Sequence, residues 1–234
     1  MKAPAMNTRN SKRPRWIVPA TLLLALGITA MIVLAVSGGT ARKPATASGQ
    51  VGPAQTCPAG QVSDAIPAAP PSDLVWKNIA GMLVPTSPTA GPTRYQGPVW
   101  SCYAHTPAGA VMAAYDIFAG LISPDWHTIA ESEIVPGPGQ QAYITASESQ
   151  PYQAVPPGDI PQAIGFEVVG YTAQQATIET LQDGGQNGYQ ANQLTVAWDD
   201  EDWKLVVTPD GSSGPDPQLV TSTDGFVLWG ENDG

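Results

Sequence analysis

Two histidines and two cysteines bound the metal and nucleophilic chemistry open to this chain of 234 residues. Cys102 and His105 stand close enough in sequence to suggest a thiolate and its base. His105, however, directly precedes a helix-capping threonine, and Cys102 has a better partner in Cys57. Asp125, His127 and Glu131 share part of one helical surface and have the donor atoms for a metal, but a third nitrogen or thiolate ligand is missing, so a solvated helix face is expected. The run Asp199, Asp200, Glu201, Asp202 supplies the oxygens calcium prefers. It falls at a tight hairpin tip, which points neighbouring side chains apart, and it lacks the spacing and internal glycine of a calcium loop; a solvated turn is expected. Asp116, Glu167 and Glu179 are the acids that a cavity enzyme of isomerase or lyase type would use. None has an evident partner, and Asp116 is expected on the polar side of its helix. No glycine-rich phosphate loop, zinc spacing or nucleophile elbow occurs. The expectation is a chain with no catalytic residue, no metal and no cofactor.

The elements that would position these residues begin at Thr106, a good N-cap, with Pro107 in the first helical position and AGAVMAAYDIFAG behind it. Val111, Ala114, Tyr115 and Phe118 make one apolar stripe, and Gly120 ends the helix. Ser123, Pro124 and Asp125 start a second, short helix running to about Ser132, and a third is expected around Gln140 to Ser147. After Pro161 the period changes to two. Ile164, Phe166 and Val168 alternate; Thr172 to Gln175 turn; Ile178 anchors a second run; Gly184, Gly185, Asn187 and Gly188 reverse the chain. The clearest hairpin follows: Leu194, Val196 and Trp198 alternate outward, Asp199 to Asp202 turn, and Trp203, Leu205 and Val207 alternate back. Two or three helices before about four antiparallel strands predict an α+β domain, with Leu74 to Val84 a packed arm ahead of it.

Before all of this lies Ile17 to Val36, IVPATLLLALGITAMIVLAV, without a charge and long enough at about 1.5 Å per residue to cross a bilayer's hydrocarbon core once. Lys2, Arg9, Lys12, Arg13 and Arg15 precede it, so the charge bias keeps the N-terminus cytoplasmic and sends the rest of the chain out. A cleaved signal peptide is the competing reading, with Ala35, Val36 and Ser37 small enough for a cleavage site, but its apolar region is usually only about 7 to 15 residues. The chain thus divides into a basic tail over 1–15, a transmembrane helix over 16–36, a Pro/Ala/Gly-rich tether over 37–71, an α+β domain over 72–209 and a C-terminal loop and terminal segment over 210–234. All 20 carboxylates and five of the 10 basic residues follow the span, giving a formal charge near −15 beyond it against +5 before it. Duplex DNA would meet like charge there, which excludes direct nucleic-acid binding by the exported part. In an oxidising compartment Cys57 and Cys102 read as one disulfide, which in the chain-entropy model would stabilise the fold by about 4 kcal/mol; two free buried thiols are the alternative. Among the exported tryptophans, Trp76 and Trp229 are the candidates for an interface. Trp229, in the near-terminal GFVLWG, either adds an edge strand to the sheet or presents a docking patch, the edge strand being the expectation.

At the tryptophan hairpin, TVAWDDEDWKLVV resembles the last hairpin of cone-shaped cystatin-like domains, the nuclear-transport-factor-2 superfamily, where short helices pack in the hollow of a curved sheet. The stretch GPVWSCYAHTPAGAVMAA, the Leu74 to Gly81 arm and the terminal GFVLWG together look like a family of actinobacterial membrane proteins of unknown function, found with conjugation systems. That resemblance spans roughly residues 57 to 230. It implies a bitopic scaffold or assembly component of a conjugative, type IV secretion-like apparatus, touching the bilayer through residues 16–36 and other envelope proteins through the exported domain, with homo-oligomers possible. A membrane-anchored ligand-binding or sensory domain is the alternative, and a cavity enzyme the third reading.

Overall fold

The computed structural model describes residues 57, 63–184 and 188–230, which form a mixed α+β fold of three helices and antiparallel sheets. The expected cytoplasmic tail, transmembrane helix and most of the tether lie outside the described residues. Among the described residues no helix is long and apolar enough to cross a membrane.

Four strands precede the helices, where the sequence suggested only an arm. β1 (Val75–Ile79) and β2 (Met82–Thr86) form one antiparallel hairpin, and β3 (Arg94–Gln96) and β4 (Val99–Ser101) a second. Both turns were hidden by their composition. Ile79 pairs with Met82 across Ala80 and Gly81, both at positive φ, and only the glycine is a usual occupant of that conformation. The backbone N–H of Gly81 is held by Asn78 Oδ1 at 2.9 Å. In the second hairpin Gly97, at φ 62, precedes Pro98, a pair that reads in sequence as a break.

The helices then follow as α1 (Pro107–Leu121), α2 (Trp126–Glu133) and α3 (Pro138–Glu148). The Thr106 hydroxyl accepts from the Gly109 N–H at 3.1 Å and starts α1 as its sequence indicates. α1 is unusual in its burial. It packs against β2, against four of the six strands of the main sheet, and against α2, so it is buried along nearly its whole length. Its alanines at 110, 113, 114 and 119 allow that close approach, and Asp116 is buried with them, contrary to the expected polar placement. Phe118, expected in the core stripe, is only half-buried.

The main sheet contains β5 (Gln162–Tyr171), β6 (Gln175–Asp183), β7 (Tyr189–Asp199), β8 (Asp202–Leu205), β9 (Gln218–Val220) and β10 (Val227–Leu228), in the order β10-β5-β6-β7-β8 with β9 also on β7. The expected boundary at 209 does not divide it, because residues beyond 209 supply two strands. β5 breaks its own alternation. The pairing jumps from Ala163 to Gly165, leaving Ile164 bulged out, so Ala163 and Phe166 face the core in place of the expected Ile164 and Phe166. Trp203, Tyr115, Phe166, Ile178 and Val196 form the centre of the core. The hydroxyl of Tyr115 donates toward the carbonyls of Gly165 and Leu181, tying α1 to two neighbouring strands.

Candidate functional site

The chemistry-bearing residues gather where the segment after β4 meets the tryptophan hairpin. Cys57 and Cys102 are joined by a disulfide with Cα atoms 5.2 Å apart. Cys102 sits at φ 66, a conformation unusual for a residue with a side chain. That turn aims two successive N–H groups at one carboxylate: Cys102 N–H donates to Asp202 Oδ2 at 2.6 Å and Tyr103 N–H to Oδ1 at 3.0 Å. The Trp203 N–H donates to Oδ1 as well, at 3.0 Å. One strand end is thus clipped to a hairpin a hundred residues later. The Trp203 indole N–H donates to the Ala104 carbonyl at 2.9 Å, and the His105 ring lies flat on Trp198, with centroids 3.8 Å apart and 10° between planes. A ring nitrogen of His105 bonds the Ala173 carbonyl.

These contacts decide two of the candidates. Cys102 is oxidised and His105 is stacked, so the pair is no nucleophile and base. The acidic turn is solvated only in part: Asp200 and Glu201 are exposed, whereas Asp202 is 7% exposed and serves as the clip. Its identity as an acid is explained by the three donors converging on it.

A second group of acids is buried beside this clip. Asp116 is 4% exposed; its Oδ2 accepts from the Tyr103 hydroxyl at 3.1 Å, and its Oδ1 has no partner among the described residues. Burial raises its pKa well above the usual carboxylate range, a shift the Tyr103 bond opposes and Glu133 reinforces. Glu133, on α2, is 5% exposed and is pushed up to about 8, first by burial and then by Asp202, with Lys204 acting the other way. Burial also raises Asp202, although its three N–H donors and Lys204 favour the charge. Tyr103 is raised by burial and by the three acids around it. Glu133 is the member that sequence reasoning missed. It lies four residues after Ile129 and three after Ala130, both buried, so helical spacing alone places it on the inner face.

The remaining candidates do not converge. Glu167 and Glu179 are direct cross-strand neighbours on β5 and β6, but on the face of the sheet opposite Phe166 and Ile178, away from Asp116. His127 lies between Glu131 at 3.5 Å and Glu148 at 3.2 Å, a surface arrangement that Asp125 does not join. Among the described residues no group of three or more His, Cys, Asp or Glu could hold a metal ion. Trp76 is half-buried against the core from β1. Trp229 is not a docking patch: it follows β10, is 4% exposed, and packs on Phe166 at 4.5 Å and edge-on to Tyr115 at 5.7 Å.

What the geometry defines is a small α+β domain whose internal acids are sealed by a disulfide-linked clip. The chain belongs to the family described as a domain of unknown function, DUF8175, which matches residues 38–228. No curated protein and no solved structure matches it. The matched segment begins just after the apolar run Ile17 to Val36 and ends on β10.

Proposed function

We propose that this chain is a bitopic membrane scaffold or assembly component of a conjugative, type IV secretion-like apparatus, with its folded domain outside the cell and acting by protein contact. The observation that carries the reading is the point at which the N-terminal part of the chain is tied to the domain. Cys57 stands in the proline-rich tether that follows the apolar run, and its disulfide ends on Cys102, whose N–H is clipped to Asp202 deep in the domain. A pull on a membrane anchor therefore enters the domain through a covalent bond and a charge-assisted clip, not by peeling β1 from β2. That is the attachment a domain held at a membrane while gripping a partner would need.

Three further features support it. The uncharged run and the basic residues before it suit a single span with the N-terminus inside. Helix α1, lying against the strands from β5 to β8, suits the cone of the cystatin-like domains that the tryptophan hairpin resembles. Of the acids in the interior, Asp202 is occupied by three backbone N–H groups that hold the segment after β4 to the tryptophan hairpin. In-frame deletion of the gene in a donor strain is expected to lower conjugation frequency by orders of magnitude, restored by the intact chain and not by a version lacking residues 1–36. Undiminished transfer after deletion would overturn the proposal.

A further inference from the structure

The face shared by α2 and α3 carries a groove that the clip and the buried acids do not use. Trp126 at the start of α2, Tyr143 on α3, and Gln150 and Tyr152 just beyond it enclose about 200 Å³. Trp126 and Tyr143 are half-buried, and Tyr152 is 44% exposed. Ser147 lies beside the Tyr143 hydroxyl, and the indole N–H of Trp126, the side-chain amide of Gln150 and the hydroxyl of Tyr152 have no hydrogen-bond partner among the described residues. The groove is therefore an aromatic floor with three uncommitted donors.

Its rim is acidic. The His127 ring meets Trp126 edge-on at 5.2 Å and draws Glu131 and Glu148 to either side of itself, with both carboxylate side chains more than half exposed. The basic residues over 63–230 are Lys77, Arg94 and Lys204, and none of them lines the groove.

We propose that this groove docks an extended, proline-bearing segment of a partner protein that carries a basic residue. A polyproline-type segment makes no hydrogen bonds within itself, so all its carbonyls are free to accept, and its proline rings stack on aromatic faces at little entropic cost. The free donors of Trp126, Gln150 and Tyr152 match those carbonyls. A lysine or arginine of the segment sits over Trp126 and between Glu131 and Glu148, in the bridging position His127 holds in its absence. The formal charge near −15 beyond the apolar run draws such a segment in. The site goes beyond the scaffold reading and holds whether or not the chain works in a transfer machine.

The test is calorimetric titration of the full chain, in detergent micelles, with synthetic peptides repeating Pro-Pro-Arg, Pro-Pro-Glu or Ala-Ala-Arg. The Pro-Pro-Arg peptide is expected to bind at least about tenfold more tightly than either other, and Tyr152→Ala to weaken it by about tenfold. Trp126→Ala is expected to do the same; should it unfold the domain, the exposed Tyr152 carries the test. Joint Glu131→Gln and Glu148→Gln substitution is expected to lower affinity several-fold and to flatten its salt dependence. Binding of Pro-Pro-Arg no tighter than Ala-Ala-Arg, affinity untouched by Tyr152→Ala, or no binding of any peptide would overturn the assignment.

Discussion

Glu131 and Glu133 stand two residues apart on α2 and meet opposite surroundings. The side chain of Glu131 is 60% exposed and leans on His127, while Glu133 is 5% exposed and holds its proton up to about pH 8 because burial penalises the charge. Two residues turn a helix by roughly 200°, enough to pass from solvent to core. The same division runs through the whole domain. Asp116, Glu133 and Asp202 are closed inside, around Tyr103, where they bind protons or backbone N–H groups. Glu131 and Glu148 stay outside beside an aromatic groove, where their charge is available to a partner. A carboxyl group in this fold is thus a structural part or a recognition element according to its side of one helical layer.

The sharpest way to break this comparison is to remove the clip. Asp202→Ala leaves the N–H groups of Cys102, Tyr103 and Trp203 buried without an acceptor, and the expected loss of stability is about 4 kcal/mol by urea denaturation. Asp202→Asn retains an acceptor oxygen and is expected to cost less. A loss below about 0.5 kcal/mol for the alanine variant would show that the clip is incidental.

The second test is pH. The folded state raises the Glu133 pKa from 4.5 to about 8, so the native protein holds a proton that the unfolded chain releases above its own pKa. Stability is therefore fullest below about pH 4.5 with respect to this group, falls as pH rises toward 8, and levels off above that. Between pH 5 and pH 8 the expected loss is about 3 kcal/mol, with Asp116 and Asp202 acting in the same direction. Glu133→Gln removes its share of the slope, as denaturant midpoints across that range would report. A flat profile in the parent protein would mean that Glu133 is not closed off from water.

How far this arrangement could be read in advance differs by element. The cap of α1 at Thr106 and the strands of the tryptophan hairpin follow from local signals, because Thr-Pro and strict alternation each have one physical meaning. The hairpins β1–β2 and β3–β4 did not, since Ala80 and Gly97-Pro98 are turn residues that do not advertise a hairpin. Ile164 was misplaced because a bulge between Ala163 and Gly165 breaks the alternation there and puts Ala163 on the face of Phe166, and nothing in the sequence marks one. Asp116 shows a different limit. Its burial depends on α1 being covered along nearly its whole length, which only the tertiary arrangement decides. Glu133 was missed for a local reason: its helix was expected to end at about Ser132, one residue short, so its spacing to Ile129 carried no reading.

A smaller effect probes the partner of Asp116. Tyr103→Phe removes the one described hydrogen bond to that buried carboxyl, and an expected loss of about 1 kcal/mol in thermal or denaturant unfolding would identify the bond as structural. Since that bond lowers the Asp116 pKa, its removal is also expected to raise that pKa further and to carry the loss of stability on to higher pH.

The smallest expected effect sharpens the comparison most directly, because it sits beside the second-largest on the same helix. Glu131→Gln removes one exposed carboxylate that pairs with His127 at 3.5 Å, and exposed pairs of this kind contribute little. The expected change in unfolding free energy is within about 0.5 kcal/mol, with no change in the slope of stability against pH between 5 and 8. Parallel melts of Glu131→Gln and Glu133→Gln in the same buffers would check both. If the exposed substitution altered stability as much as the buried one, the division between interior and recognition acids would fail. If it left stability alone while weakening the Pro-Pro-Arg peptide, the outer carboxylates would be tied to binding and the inner ones to the fold.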